Sequence, residues 1–345
     1  MLPNIVNGMA AAPVLLVADV GGTFARFSLA RGGALLVEPQ TRARSSAGSL
    51  AELCRQAWQD FGQAVDGVAI AVAAPVSGGR ARMTNVGWEV DELTVATALS
   101  VERVLLINDF AALAYALPSL QPADLLPVPG FAGSTRMDAP PEAGRAPRVI
   151  FGPGTGLGVA ALFQFAGRSV PVASEGGHIG FAPSTVFEQQ VLAHAARLFE
   201  HVSWERILSG PGLELIDEVS QAQFAAPASR RTAAAIIAAA AGGQCAAAAQ
   251  SIACFAGLLG SFGGDLALTF RAAGGVVIGG GVVARLAPLL SLPDIRQRFC
   301  RKGRFSSWLG ALPLAILLDP YAALRGAALA FAEHYSGMTP PPVCR

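Results

Sequence analysis

Two stretches of this chain, 14–38 and 148–174, follow one plan: an apolar run, a glycine turn, an alternating return run, a second glycine-bearing turn and a third extended segment. In the first stretch, VLLVAD passes through VGGT into FARFSLA and then, beyond Arg31-Gly32-Gly33, into ALLVE. In the second, RVIF passes through GPGTGLG into VAALFQF and, beyond a Gly167-Arg168 turn, into SVPVAS. Alternation of period two on either side of a tight glycine turn suits a half-buried hairpin and does not suit a helix. Two copies, one opening each half of the chain, point to a duplicated α/β plan rather than a many-repeat solenoid.

Behind the first hairpin we expect a helix over 48–61, a strand over 68–74, a helix near 91–100, a strand over 104–108 and a helix from 109 to about 117. The resulting order is βββαβαβα. Residues 130–147 are rich in Gly, Pro and Ala and mark a loop or the neighbourhood of a domain boundary. The second half should continue with helices near 185–201, 204–208 and 212–220, and an alanine-rich helical pair across 232–270. A short strand ending in Gly279, Gly280 and Gly281, a strand at 313–318 and a helix at 321–334 complete it.

Composition removes several function classes. The chain has 345 residues, 52% of them apolar, which is enough for a sizeable core and suggests two domains. Its formal net charge of +1 supplies no field for nucleic acid or an anionic membrane. Lys302 is the only lysine, so neither a Walker-type phosphate loop nor a Schiff-base lysine can sit in the glycine turns. Five cysteines form no CxxC pair and show no metal-ligand spacing, which reads as reduced thiols. The first residues lack a basic region and run straight into DVGGT, so no signal peptide is expected, and no 18-residue apolar run stands clear of Gly, Pro or charge. A cytoplasmic protein with a small-molecule substrate is the expectation.

The motifs carry the chemistry. Glycines in Asp19-Val20-Gly21-Gly22-Thr23 let backbone N–H groups converge on phosphate oxygens, Thr23 adds a hydroxyl, and Asp19 can hold Mg²⁺ through water. An ordinary Gly-Gly hairpin turn is the plainer alternative. Gly154-Thr155-Gly156, within GPGTGLG, is followed by a strand rather than a helix, which argues against a dinucleotide fold and for a second phosphate hairpin. Asn108-Asp109 ends a strand before a helix; the carboxylate can accept a hydroxyl proton and the carboxamide can bond a polyol. Read alone, Asp109 suits a helix N-cap better than a base. Glu175 and His178, in SEGGH, and Glu205, in SWER, supply groups suited to sugar hydroxyls, although they could equally be a solvated turn and a helix face. Gly279, Gly280 and Gly281 offer bare backbone to a nucleotide, or merely a strand-to-helix turn.

Taken in order, LVADVGGTFARFSLA, MTNVGWEV, INDFAALAYALP, GPGTGLGVA, EGGHIGFAP, ERILSGPGL, GGVVIGGGV and KGRF resemble the bacterial glucokinase family, within the sugar kinase, actin and 70-kDa heat-shock group. The resemblance runs from about Val14 to about Ala332. It implies a two-domain actin-like ATPase (ribonuclease H-like) fold with a deep interdomain cleft: a small α/β domain over 14–119 plus 320–336, a large one over 120–319, and an N-terminal extension over 1–13. It implies ATP with Mg²⁺ as cofactors, Asp109 as general base for the 6-hydroxyl of glucose, and sugar contacts from Asn85, Asn108, Asp109, Glu175, His178 and Glu205. Ala18, Asp19, Val20, Gly21, Gly22, Thr23, Gly154, Thr155, Gly156, Gly279, Gly280 and Gly281 would lie on ATP. Homodimers are common among such enzymes.

Three positions depart from the family pattern. Phe24 replaces a frequent asparagine, Trp204 a small residue, which would alter the outer sugar pocket, and Gly180 a common aspartate. A kinase with broader hexose specificity, covering fructose and mannose, stays open, as does an ADP or polyphosphate donor. A sugar-responsive regulator on the same fold would need a DNA-binding appendage, and only 13 residues precede the first strand. A chaperone or filament protein of this architecture would not need Asn108, Asp109, Glu175, His178 and Glu205 together.

Overall fold

The segment VLLVADV carries apolar residues on both faces, so strand Val14–Val20 lies in the middle of a sheet and is buried along most of its length. It pairs antiparallel with Phe24–Arg31 and parallel with Gly67–Val72, which pairs parallel with Val104–Asn108. The computed structural model describes residues 12–83, 87–130, 146–224 and 229–336. It divides into two units, Met1–Ala116 with Tyr321–Arg345, and Leu117–Pro320.

In the first unit, helix Leu50–Phe61 begins at Ser49, whose hydroxyl accepts from Glu52 N–H, and stops at Gly62 in the left-handed region. Leu53, Cys54 and Ala57 on its inner face join Val95 and Leu99 of helix Glu92–Leu99 over one side of the sheet. Ala112 of helix Asp109–Ala116 and Leu324, Ala327 and Phe331 of helix Ala322–Tyr335 cover the other. Gly326 lies against the Ala112 carbonyl, where a Cβ would overlap it, so these two helices touch by their backbones and the helix that begins at Asp109 is held firmly.

Two features of this unit differ from expectation. The third strand, expected as ALLVE, shortens to Ala34–Leu35, and a further strand, Gln40–Ala43, follows it; both pair with Phe24–Arg31. Ser28 Oγ donates to Val37 O at 2.8 Å between the two strands, and Pro39, which has no N–H, precedes the second. A small antiparallel sheet, Val76–Ser77, Arg80–Met83 and Trp88–Asp91, is added beyond the expected plan. Its hairpin turns on Gly78 and Gly79, both at positive φ as a type I′ turn requires.

The second unit is built on strand Arg148–Pro153. It pairs antiparallel with Leu157–Phe165, which pairs with Arg168–Ser174, and parallel with Val276–Ile278, which pairs parallel with Leu314–Leu317. Leu125–Pro127 closes the edge. The core lies against helix Ala246–Thr269, where Phe151 and Phe262 meet edge to face at 5.2 Å. This helix is long and apolar enough to cross a membrane, but 72% of its most apolar window is buried inside the unit. Gly260 and Gly264 on it bring it against helix Leu292–Cys300, an element not expected from the sequence. The helix expected over 185–201 is Val186–Ala195.

Candidate functional site

One set of candidate groups lies in the first unit, at the carboxyl ends of its parallel strands. Asp19 stands opposite Arg26 in the hairpin register, and Arg26 Nη1 donates to Asp19 Oδ2 at 3.1 Å. Gly21 N–H donates to Phe24 O at 3.0 Å and closes the turn, and Arg44 grips its outer part: Arg44 N–H donates to Thr23 O and Arg44 Nε to Gly22 O, each at 3.0 Å. A Cβ built on Gly22 meets nothing within 4 Å, and the N–H groups of Gly22 and Thr23 find no partner among the described residues. Ala18 and Val20 are buried in the strand that feeds this turn.

Asn108 ends strand Val104–Asn108 beside Val72, and its side chain organises the first turn of helix Asp109–Ala116. Its Oδ1 accepts from Ala111 N–H at 3.0 Å, the geometry of an N-cap, while its Nδ2 donates to Asp109 Oδ1 at 3.0 Å and to Ala74 O at 3.3 Å. Phe110 N–H also donates to Asp109 Oδ1, at 2.9 Å. The capping role that the sequence suggested for Asp109 therefore belongs to Asn108, because the helix starts one residue earlier than such a cap would require. Burial, together with the charge of Asp19, pushes the Asp109 carboxyl up to about 7, against the opposing effect of its hydrogen bonds. Burial also raises Asp19, and the adjacent Arg26 guanidinium opposes that rise. Asn85 lies outside the described residues.

The second set lies in the other unit. Within the turn of its hairpin, Gly154 N–H donates to Gly156 O at 2.8 Å, and Gly210 N–H donates to Gly154 O at 2.9 Å. Thr155 and Gly156 keep N–H groups without a partner among the described residues, and a Cβ on Gly154 would meet open space. Glu205, delivered by helix Trp204–Ile207 behind its Ser203 cap, accepts Leu157 N–H on Oε2 at 2.9 Å. A Cβ on Gly156 would stand 2.5 Å from that oxygen, so Gly156 is glycine partly to admit Glu205. The other oxygen, Oε1, is 3.9 Å from His178 Nδ1, and His178 Nε2 is 3.8 Å from Glu175 Oε2. His178 and Glu175 are largely exposed and keep hydrogen-bonding capacity for a ligand.

Gly279 N–H donates to Phe151 O at 2.7 Å, and a Cβ on Gly152 would lie 2.5 Å from the Gly279 carbonyl carbon. Gly280, at φ 90°, lies against the Pro153 carbonyl, and Gly281 faces open space. The glycines of 152–156 and 279–281 thus form one bare backbone surface. The helix beyond them, Gly281–Leu286, spans only six residues. Sequence reading placed Gly152 in the glycine turn but missed its contact with Gly279, and missed Gly210 as a support of this surface; each touches a residue distant along the chain, which spacing cannot reveal.

The departures from the family pattern also have locations. Trp204 is 2% exposed and packs on Phe181 and Phe262, so it belongs to the core rather than to the outer sugar pocket. Phe24 is exposed and contributes its carbonyl to the turn, and Gly180 forms an isolated bridge with Ser203. The sole lysine, Lys302, is bound through Nζ to Asp265 Oδ1 at 2.5 Å. Among the described residues no group of three or more His, Cys, Asp or Glu side chains could hold a metal ion. A cation shared between one carboxylate, water and phosphate oxygens needs no such group, and Asp19 Oδ1 is left over by the Arg26 contact.

Known proteins resemble this chain over most of its length. The family model described as glucokinase matches residues 16–334. A glucokinase of Aromatoleum aromaticum is 38% identical over 330 residues, covering 94% of this chain and 96% of that protein. The bifunctional protein glk of Burkholderia thailandensis is 37% identical over 328 residues, and this chain spans about half the length of that relative. The crystal structure of a glucokinase from an Antarctic psychrotroph superimposes with a TM-score of 0.80 at 32% identity, covering 92% of this chain and 98% of that one. Homology over nearly the whole length, joined to the paired glycine hairpins and the carboxylates that flank them, makes this chain a member of the glucokinase family.

Proposed function

We propose that this chain is a glucokinase that transfers the terminal phosphoryl group of ATP to the 6-hydroxyl of D-glucose, with Asp109 as the general base. The observation that carries this reading is the Asp109 carboxyl, fixed on one oxygen by the Phe110 amide and the Asn108 carboxamide and raised to about 7. A base needs that combination: a defined direction for its lone pair and an affinity for protons near working pH. The sugar oxygen gives its proton to Asp109 and forms a bond to the terminal phosphorus, the bond from that phosphorus to the bridging oxygen breaks, and ADP leaves.

The proposal extends to the remaining site residues. Gly22, Thr23, Thr155 and Gly156 offer open N–H groups for phosphate oxygens, and Gly279, Gly280 and Gly281 offer bare backbone to the nucleotide. Asp19 is the residue fitted to hold Mg²⁺ through water, and that ion when bound neutralises charge on the phosphates. Glu175, His178, Glu205, Asn108 and Asn85 would bond the sugar hydroxyls. The reading includes the duplicated plan of an actin-like ATPase, a small domain over 14–119 plus 320–336 and a large one over 120–319, a cleft that closes over the sugar to exclude water, and a cytoplasmic location. A coupled assay of ADP release across hexoses tests it: glucose-dependent turnover is expected, and a flat response to every hexose would sink it.

A further inference from the structure

Phosphoryl transfer requires positive charge at the donor phosphates, and the sequence leaves that role without a lysine. Lys302 is engaged by Asp265 and Arg26 by Asp19. Arg44 differs from both. Its Nε donates to the Gly22 carbonyl at 3.0 Å, its own N–H is fixed on Thr23 O, and its guanidinium carbon lies 4.9 Å from the centre of the Trp88 ring. The stem and plane are therefore held from two sides, while neither Nη atom has a hydrogen bond or ion pair among the described residues. A guanidinium fixed through Nε presents its two Nη groups as a fork, the geometry that matches phosphate oxygens. It does so beside the turn in which the Gly22 and Thr23 N–H groups have no partner among the described residues.

We propose that Arg44 is a phosphate-binding residue of the first glycine turn, receiving the phosphoryl group that is transferred, either on ATP before transfer or on glucose 6-phosphate after it. Nothing in the motif series around DVGGT marks it, since it lies some twenty residues downstream and reaches the turn only through the edge strand Gln40–Ala43. The inference rests on the reading of that turn as a phosphate site.

Titrating ATP, glucose 6-phosphate and glucose separately into the full chain tests it, using the wild type, Arg44→Met, which keeps an apolar stem over Trp88, and Arg44→Lys. Arg44→Met should weaken binding of ATP or of glucose 6-phosphate by about 10- to 100-fold, the range of charge-assisted hydrogen bonds, and whichever weakens identifies the source of the phosphoryl group. Glucose affinity and Tm should not change, and Arg44→Lys should recover part of the loss. Unchanged affinity for both phosphate compounds would overturn the proposal, as would an equal loss of glucose affinity or a lowered Tm, either of which marks a structural prop. Wild type that binds ATP through Arg44 yet phosphorylates no sugar would refute only the kinase reading. Wild type that binds neither phosphate compound would refute both.

Discussion

Replacing Asp109 with asparagine removes a carboxyl that burial and the nearby Asp19 charge hold near neutrality, and the change should act on activity and stability in opposite directions. Turnover should fall by about 10²- to 10⁴-fold, the contribution of a positioned base. In the wild type, kcat/KM for glucose should decline below about pH 7, because only the ionised carboxylate accepts a proton. The stability effect has the opposite sense. A carboxyl raised from 3.8 to about 7 binds its proton more tightly in the folded chain, so its contribution is full below the unfolded value and is lost as pH rises through about 7. Above pH 7.5, urea denaturation should therefore find Asp109→Asn more stable than wild type by about 1–3 kcal/mol. A second residue test concerns Gly156, whose replacement by alanine places a Cβ on Glu205 Oε2 and breaks its bond to Leu157. We expect KM for glucose to rise about tenfold with a stability loss of about 1–3 kcal/mol, read by steady-state kinetics and denaturant melts.

Among elements, the hairpins were legible because their signals are local: alternation fixes which face each strand buries, and glycines mark where the chain turns. The same rules misread ALLVE, since an edge strand bears little packing and can end at Leu35, ahead of the Val37 carbonyl that Ser28 binds and of Pro39, without loss of core. The helices of the second unit were harder to read. Helix Leu292–Cys300 owes its place to the glycine face of Ala246–Thr269, a tertiary contact between segments that each look unremarkable. Gly264→Ala would set a Cβ 2.5 Å from Phe299 O and push these helices apart. A loss of about 1–3 kcal/mol in urea melts is expected.

At the scale of the whole molecule, the chain passes between its two units at Ala116 to Leu117 and again at Pro320 to Tyr321. The proposed base belongs to one unit and Glu175, His178 and Glu205 to the other. Glucose at a hundredfold excess over its Kd should raise unfolding free energy by about 2.7 kcal/mol. If the sugar engages both units it should protect both, which hydrogen exchange resolved along the chain can read; protection confined to one unit would count against that assignment. By itself the sequence determined the α/β class, the two glycine hairpins, the excluded chemistries and the candidate residues, because these depend on periodicity and on residue types at short spacing. Only tertiary structure decided that Asn108 caps the helix and frees Asp109, that Gly156 makes room for Glu205, that Trp204 is core, and that Arg44 reaches the first turn. Each of those outcomes depends on groups distant along the chain meeting at hydrogen-bond or van der Waals distance, which no local pattern encodes.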